Sequence, residues 1–450
     1  MQSFVVWNDE INERLDAGYY YSLQDIIYTK IKNSKYPIRK MRELASIVTK
    51  GESPLWKGDS FLKEGIPFLR GKNIKEGAIN FEDVVYISDS VHRRMRRSIL
   101  SGNYLLLTMA GTLGDVAFFK EEYPECNINQ DIAKIKLTDA ILYEYATVYF
   151  QTALAKKQIN ILSNGGTRSH LNFEQIKSFD VILPPISVQT KIVEIMQSAY
   201  NQKKQKEAEA QRLLDSIDDY VLDELGIKLP EIKTKRCFLV WNNEVVQRLD
   251  PLYYSKDVFS FLKKFSYDVK PLEGITYYLK TGFAAGNSQQ EAVNEGIIQI
   301  RPTNIDDIGL LRFDKNIYLK KEYLDKKNAD LLQKGEVLFN NTNSQELVGK
   351  TSFFDLEGQY FCSNHITRIK VNEDFVSPTY LWIILNIYQK AKVFFNLCTN
   401  WNNQSGVNIE LLKTVQIPLP PLAIQHKIAD EVKKRISEAE RLKAEAGKVI

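Results

Sequence analysis

The chain has 450 residues, 44% hydrophobic and 26% charged, the composition of an ordinary globular protein of two to four domains. Sixty basic residues against fifty-six acidic ones give a net charge of +4 and a pI near 8.5, which is compatible with a nucleic-acid partner without requiring one. Cys126, Cys237, Cys362 and Cys398 have no CxxC spacing, which argues against a zinc ribbon or a disulfide framework and favours a reducing cytoplasm; the acidic start MQSFVVWNDE is unlike a signal peptide, and no apolar run approaches the roughly 18 residues that span a membrane.

The chain opens with Phe4-Val-Val-Trp-Asn-Asp-Glu, followed by Arg14-Leu15-Asp16. Apolar runs of strand length then occur at Ile66–Leu69, Tyr104–Thr108, Val116–Phe119 and Ile132–Leu137, bounded by glycine or polar turns. Helical patterns cover about 90–100, 140–160 and 172–178. At Pro184-Pro185 a new pattern begins. Proline tolerates only the first turn of a helix, and neither glycine nor proline recurs before Gly226 and Pro230. That leaves room for one helix of about 40 residues, roughly 60 Å long.

The second half repeats the first. Trp7 matches Trp241, and Arg14-Leu15-Asp16 matches Arg248-Leu249-Asp250. Gly65-Ile-Pro-Phe-Leu-Arg70 with Asn73 returns as Gly296-Ile-Ile-Gln-Ile-Arg301 with Asn304. Gly102–Leu107 matches Gly335–Phe339, and Leu171–Lys177 matches Val407–Lys413. The helix opening Ile182-Leu-Pro-Pro-Ile-Ser-Val-Gln-Thr-Lys-Ile192 returns as Pro418-Leu-Pro-Pro-Leu-Ala-Ile-Gln-His-Lys-Ile428. Five blocks in one order, at offsets of 231 to 236 residues, describe a tandem duplication. The expected fold is α+β: two pseudo-symmetric modules of mixed helix and strand, residues 1–183 and 231–419, and two long helices, 184–230 and 420–450. Second-copy strands are expected at Ile297–Ile300, Val337–Phe339 and Thr351–Phe354.

Both long helices carry a stripe at 3–4 spacing. In the first it runs through Ile192, Met196, Ala199, Lys203, Lys206, Ala210, Leu213, Ile217 and Tyr220; in the second, through Ile428, Val432, Arg435, Ala439, Leu442, Ala446 and Val449. Either each helix packs on its own module, or the two pair with each other, Lys203 and Lys206 then facing small residues such as Ala439 or reaching out to solvent. The second stripe meets Ile450 some eleven residues before the equivalent of Leu225, so pairing over part of the first helix is expected.

Catalytic constellations are missing. The two Pro-Pro pairs lack the polar and aromatic neighbours of a methyltransferase base-holding loop. Ser344-Gln-Glu-Leu-Val-Gly-Lys-Thr351 lacks the first glycine of a P-loop and runs on into strand-forming residues. His92, His170, His365 and His426 form no metal-binding pair in sequence.

Candidate nucleic-acid contacts are polar and basic. The strongest cluster is His92-Arg93-Arg94-Met95-Arg96-Arg97, with arginines suited to phosphates or guanine edges; its counterpart carries Lys320-Lys321 and Lys326-Lys327. A solvated helix face explains these runs equally well. Thr167 and Arg168, in a glycine-rich loop, lie opposite a segment holding Asn402 and Gln404, and residues 340–345 supply Asn343 and Gln345, amides of the kind that read adenine. An ordinary turn cluster is the plain alternative. Arg70 with Asn73, and Arg301 with Asn304, recur in both halves, which points to framework or phosphate roles.

Taken together, the two divergent modules and the repeated Leu-Pro-Pro-(Ile/Leu)-x-x-Gln-x-Lys-Ile openings resemble the DNA-specificity (S) subunit of type I restriction-modification systems. The resemblance covers nearly the whole chain. It implies one target-recognition domain per half of a bipartite double-stranded DNA site. It also implies two helices that pair as an antiparallel coiled coil, gauge the spacer and dock methyltransferase (M) subunits, two of them, through the motifs holding Pro185, Gln189, Lys191, Pro421, Gln425 and Lys427. Restriction (R) subunits complete such a complex. No cofactor is expected on this chain; S-adenosylmethionine, ATP and magnesium belong to the partners. Two other readings remain at this point: a self-contained methyltransferase or nuclease with a site assembled from distant residues, and a coiled-coil adaptor that binds no DNA.

Overall fold

The computed structural model describes residues 31, 33–163, 170–229, 239–240, 259, 262, 265–291, 295–401 and 404–449. The repeated Trp7 and Trp241 segments, Cys237, Thr167, Arg168 and Asn402 lie outside the described residues. The chain divides into two compact units, Met1–Gln202 and Lys203–Ile450, and the first long helix contributes to both.

In the first unit a four-stranded antiparallel sheet has the order Ala45–Lys50, Ile132–Leu137, Tyr104–Thr108, Val116–Phe119. Successive residues of a strand point to opposite faces, so one strand feeds two cores. Leu105, Leu107, Ala133 and Ile135 pack under the helices, with Tyr145, Phe150 and Ile159. Leu106, Ile132 and Phe119 face the other way, towards a second sheet. That second sheet runs Val85–Ile87, Ile66–Leu69, Cys126–Ile128, Ile99–Leu100. Its 66–69 and 126–128 strands are parallel, with Phe68 beside Asn127 and Leu69 beside Ile128. A pair of short strands, Ile38–Lys40 with Asp180–Ile182, closes the unit beneath the long helix.

The second unit repeats the antiparallel sheet strand for strand, and the other sheet with three strands in place of four. Thr276–Thr281, Ile366–Val371, Glu336–Asn340 and Thr351–Phe354 form the antiparallel sheet; Tyr318–Leu319, Ile297–Ile300 and Tyr360–Cys362 form the other, again with one parallel pair. Val337, Phe339 and Ile369 face the helix side, and Leu338, Ile366 and Phe354 the other. Asp268–Pro271 pairs with Gln416–Leu419 as the closing strands.

Two expected helices are interrupted for tertiary reasons. The 90–100 stretch forms a helix only over Asp89–Arg94, then a 3₁₀ turn over Arg96–Ser98. Met95 breaks it at φ −89°, ψ 47°, and its side chain is buried with Phe68, Ile87 and Val91. The 140–160 stretch splits into Tyr143–Gln151 and Ala153–Leu162. Thr152 is extended there, and its hydroxyl accepts from Ala155 N, capping the second helix.

The long helices span Ile186–Leu225 and Leu422–Ala446. The first ends in a left-handed glycine: Gly226 sits at φ 62°, Ile227 N donates to Leu222 O at 2.9 Å and Gly226 N to Asp223 O at 3.0 Å. Within the second unit its C-terminal half runs antiparallel to the 422–446 helix. Lys206 meets Glu445 at 2.5 Å, Arg435 Nη1 donates to Ser216 O and Oγ at 2.9 Å, and Lys427 meets Glu224 at 2.7 Å. Steps along one helix are matched by equal steps back along the other, which fixes the register. The buried seam is Ala210, Leu214, Ile217, Val221 and Leu225 against Ile428, Val432, Ile436, Ala439 and Leu442. Three expected seam positions therefore move by one residue: Leu214 replaces Leu213, Val221 replaces Tyr220, and Ile436 replaces Arg435. Tyr220 and Arg435 flank the seam instead, the guanidinium lying 4.4 Å from the ring centroid. Lys206 reaches out to a carboxylate instead of facing Ala439. The two sequence alternatives hold together in part: the 422–446 helix also packs on its own module through Tyr380, Ile383 and Ile387, while the C-terminal half of the first helix reaches that same second module, Asp218 meeting Lys390 at 2.9 Å.

Among the described residues no helix is long and apolar enough to cross a membrane.

Candidate nucleic-acid interface

The arginine segment is held from beneath by its apolar and histidine side. Val91, His92 and Met95 are buried. His92 Nδ1 lies 2.5 Å from Asn127 Oδ1, and Nε2 lies 2.7 Å from Glu125 Oε1. Asn127 in turn donates to Met95 O and to Ser98 Oγ. This leaves Arg93, Arg94, Arg96 and Arg97 exposed. Arg93 pairs with Asp89 at 2.6 Å, Arg94 with Asp59, and Arg97 approaches Glu52 at 3.8 Å. Exposed pairs of this kind contribute about 0–1 kcal/mol, so a phosphate can displace the carboxylate at little cost. In the second unit Lys321 is exposed and Lys320 half-buried, while Lys326 pairs with Glu322 at 3.3 Å and Lys327 with Asp330 at 3.6 Å.

One buried cation pins the end of each basic segment to the sheet. Lys134 donates to Ile99 O at 2.6 Å and lies 4.9 Å from the Tyr104 ring centroid. Burial pushes its pKa down. At the equivalent place Arg368 donates to Asp330 O and Leu331 O, and its Nε and Nη2 meet Glu336 at 2.9 and 3.1 Å. Glu336 is fully buried and completes its bonding with Tyr278 Oη–H and Gln333 N–H. The same task is done by a lysine over an aromatic ring in one copy and by a buried ion pair in the other. Neither Lys134 nor Arg368 stands out in the sequence, because only the fold brings each to the carbonyls it holds.

The repeated Arg–Asn blocks are turns. Asn73 Oδ1 accepts from Arg70 N at 2.9 Å, and its Nδ2 donates to Asn80 O and Asp83 O. Asn304 does the same, accepting from Arg301 N at 3.0 Å and donating to Arg312 O at 2.9 Å. Both asparagines are buried and their amides are engaged inside the protein, so a DNA-contacting role for Asn73 and Asn304 is corrected to a turn-holding one. Arg70 and Arg301 themselves are half-buried.

The amide-rich segments of the second unit come together. Thr342–Asn343, Gln404–Gly406 and Thr399–Trp401 form a small three-stranded sheet. Asn343, Ser405 and Asn400 lie in one row across it, and Gln404 pairs with Trp401 at its end. Gln404 is exposed and Trp401 is 48% exposed. The indole packs over Gly406, where an added Cβ would meet it at 2.6 Å. Gln345 donates to Phe395 O at 2.8 Å, and Asn343 Oδ1 accepts from Ser344 N. Trp401 was not singled out in the sequence, since a lone tryptophan gains meaning only from the strand pairing that sets it beside Gln404.

The helix-opening motif has a local purpose. Gln189 is fully buried; Oε1 accepts from Leu142 N at 2.9 Å, and Nε2 donates to Ala140 O and Pro184 O at 3.1 and 2.9 Å. Gln425 does likewise with Ser377 N, Phe375 O and Pro420 O. Each glutamine clamps a long helix to the entry of the module helix before it, so the partner-docking role expected of Gln189 and Gln425 is corrected to an internal one. Pro185, Lys191 and Pro421 are exposed, and Lys427 is engaged with Glu224.

Residues 344–349 turn directly into the Thr351–Phe354 strand, so no helix follows to complete a P-loop. Among the described residues no cluster of three or more histidine, cysteine or carboxylate side chains is placed to hold a metal ion.

The sequence matches the type I restriction modification DNA specificity domain family twice, over residues 33–213 and 256–446. The putative type I restriction enzyme MjaX specificity subunit of Methanocaldococcus jannaschii is 24% identical over 164 residues, 36% of this chain and 38% of that protein. The putative type I restriction enzyme specificity subunit S.HindORF215P of Haemophilus influenzae is 22% identical over 413 residues, 88% of this chain and 87% of that protein. The match thus spans well under half of the first relative and most of the second. A solved chain, described under structural basis of complex assembly and conformational transition of the type I R-M system, shares the fold with a TM-score of 0.56 at 14% identity, over 92% of this chain and 94% of its own.

Proposed function

Because this chain belongs to the type I restriction modification DNA specificity family, we propose that it is the DNA-reading subunit of a type I restriction-modification complex, with one module for each half of a bipartite double-stranded site. The observation that carries this reading is the duplication itself. One framework occurs twice, an antiparallel sheet and a second sheet holding a parallel strand pair in each copy, while the exposed polar segments differ between the copies, as two readers of different half-sites require.

In this reading Arg93, Arg94, Arg96 and Arg97 in one module, and Lys320 and Lys321 in the other, neutralise phosphates and make binding steeply dependent on salt. Asn343, Gln345 and Gln404 supply amide contacts to base edges, with Trp401 beside them. Thr167, Arg168 and Asn402 join these sets by their place in the sequence. The paired helices dock two methyltransferase subunits on outward residues such as Lys191, and restriction subunits bind those in turn. The chain itself carries no reaction: S-adenosylmethionine, ATP and magnesium sit on its partners, and the complex works in the cytoplasm beside the chromosome.

The test is a map of methylated adenines in the source genome before and after deletion of this chain. A bipartite motif with a fixed gap should disappear on deletion and return on complementation. Survival of every such mark in the deletion strain refutes the assignment, and methyl transfer to DNA by the purified chain alone refutes its non-catalytic role.

A further inference from the structure

We propose that Arg70 and Arg301 are a matched pair of phosphate-binding sites, one in each module, that grip the duplex backbone whatever its sequence; this deepens the DNA-reading function above and rests on it.

Both arginines stand at the same point of the fold. Each follows the last residue of the strand that enters the parallel strand pair of its second sheet, 66–69 with 126–128 and 297–300 with 360–362. The neighbouring strand continues alongside: Asn129 N donates to Leu69 O, and Ser363 N to Ile300 O, both at 2.9 Å. The main chain of each arginine is fixed by the buried amide of Asn73 or Asn304. The side chain bonds to a carbonyl, Arg70 Nη2 to Asp83 O at 3.4 Å and Arg301 Nη2 to Lys315 O at 3.3 Å, and the Arg70 guanidinium also lies 5.9 Å from the Phe61 ring centroid.

What the protein leaves undone is also the same in both copies. Arg70 Nε and Arg301 Nε are buried atoms with no hydrogen-bond partner among the protein's own groups. The adjacent side-chain oxygens, Asn129 Oδ1 and Ser363 Oγ, are likewise unpartnered. Among the described residues neither guanidinium forms an ion pair. Asp83 is close enough to sense Arg70, but its carboxylate is bonded to Lys72 at 2.5 Å. Around Arg301 burial is the sole resolved influence, and it pushes the pKa down, as for a cation without a compensating acid. The guanidinium, its head aimed by the Nη2 bond, presents a planar fork of N–H donors from which two oxygens of a tetrahedral phosphate can accept.

Duplication then separates the classes of ligand. A side chain that reads a base must change when the half-site changes. The features that both half-sites share are their phosphates, and the arginine is kept where residues 89–101 and 320–334 have diverged.

The experiment uses the whole complex with its partner subunits and two duplexes, one carrying the motif lost on deletion and one with that motif scrambled. Affinity is measured by fluorescence anisotropy across a salt series for Arg70→Gln, Arg301→Gln and the double variant. Each single variant should weaken both duplexes by one common factor, about tenfold at low salt, and flatten the plot of log affinity against log salt by about 0.9. The methylated motif should not change. Unaltered affinity and slope in a variant that melts like the wild type mean an ordered water only, and overturn the proposal. Loss confined to the cognate duplex makes the arginine a base reader and overturns it too. If a glutamine variant melts early, Arg70→Lys and Arg301→Lys keep the charge and remove the Nε donor; they should show a smaller loss, equal for both duplexes, and no loss is again a refutation. A wild-type complex with no preference between the duplexes defeats the DNA-reading function itself, which distinguishes that failure from a failure of the two arginines.

Discussion

At the scale of single residues, the two copies show how one structural need is met by different chemistry. Lys134 and Arg368 each tie down the segment that follows the basic turn, yet only Arg368 does so with a fully buried carboxylate partner. Removing that cation strands a charge in the core, which typically costs about 3–5 kcal/mol. Arg368→Met should therefore unfold at clearly lower denaturant concentration than Lys134→Met, which leaves only a carbonyl without its donor, at about 1–3 kcal/mol. Denaturant melts of the two variants measure the difference. The amides of the small second-unit sheet make a separate prediction about reading. Gln404→Ala, or Asn343→Ala, should relax one half of the bipartite motif, each lost base contact weakening discrimination by roughly 1–3 kcal/mol, and leave the other half intact. Methylation mapping in a strain carrying the variant scores this directly; a change in both halves would contradict the division of labour between modules.

At the scale of elements, the paired helices rest on a short apolar seam framed by ions. Each fully buried Leu, Ile or Val there is worth about 1.5–3 kcal/mol, so the seam dominates and the exposed pairs tune it. The carboxylates of Glu445, Glu438 and Glu431 are held below their usual value by hydrogen bonds from Lys206, Arg441 and Arg435. A depressed folded-state pKa adds stability above the unfolded value, near 4.5, and that stability is lost as the pH falls through the folded value. Lys427 is shifted upwards by Glu224, so its share is complete below about 10.5 and disappears at higher pH. Thermal melts of the chain should stay level between those limits and fall outside them, the acid limb flattening in Glu445→Gln. The strands at 66–69, 104–108, 116–119 and 132–137 were legible in the sequence, because each is an apolar run bounded by glycine or polar turns; sheet partners such as Ala45–Lys50 and Cys126–Ile128 were not. The helix near 90–100 was not, because Met95 answers to a pocket made by distant strands. The seam slipped by one residue at three places because 3–4 spacing defines a face, not which edge of it a partner covers. The candidate site was legible as composition only. The recurrence of Asn73 and Asn304 points to framework or phosphate roles, and only the fold shows the turn they close burying them.

At the scale of the whole molecule, function rests on a framework used twice. If the long helix sets the gap in the DNA motif, its length is an adjustable quantity. Inserting seven residues, about two turns, between Ile195 and Gln202 leaves the seam from Ala210 onwards untouched. The motif mapped from such a strain should have an altered gap and unchanged half-sites; an unaltered gap would show that the helix is not the gauge.

The glutamine clamps carry one more consequence. The side-chain hydrogen bonds of Gln189 and Gln425 all go to main-chain groups, two in the module and one to the proline that opens the helix. The corner itself therefore places no demand on the side chains that enter it. The demand lies beyond it, where Tyr380, Ile383 and Ile387 pack on the paired helices and Lys390 meets Asp218. A foreign module could keep the corner unchanged and would need matching residues only along that face.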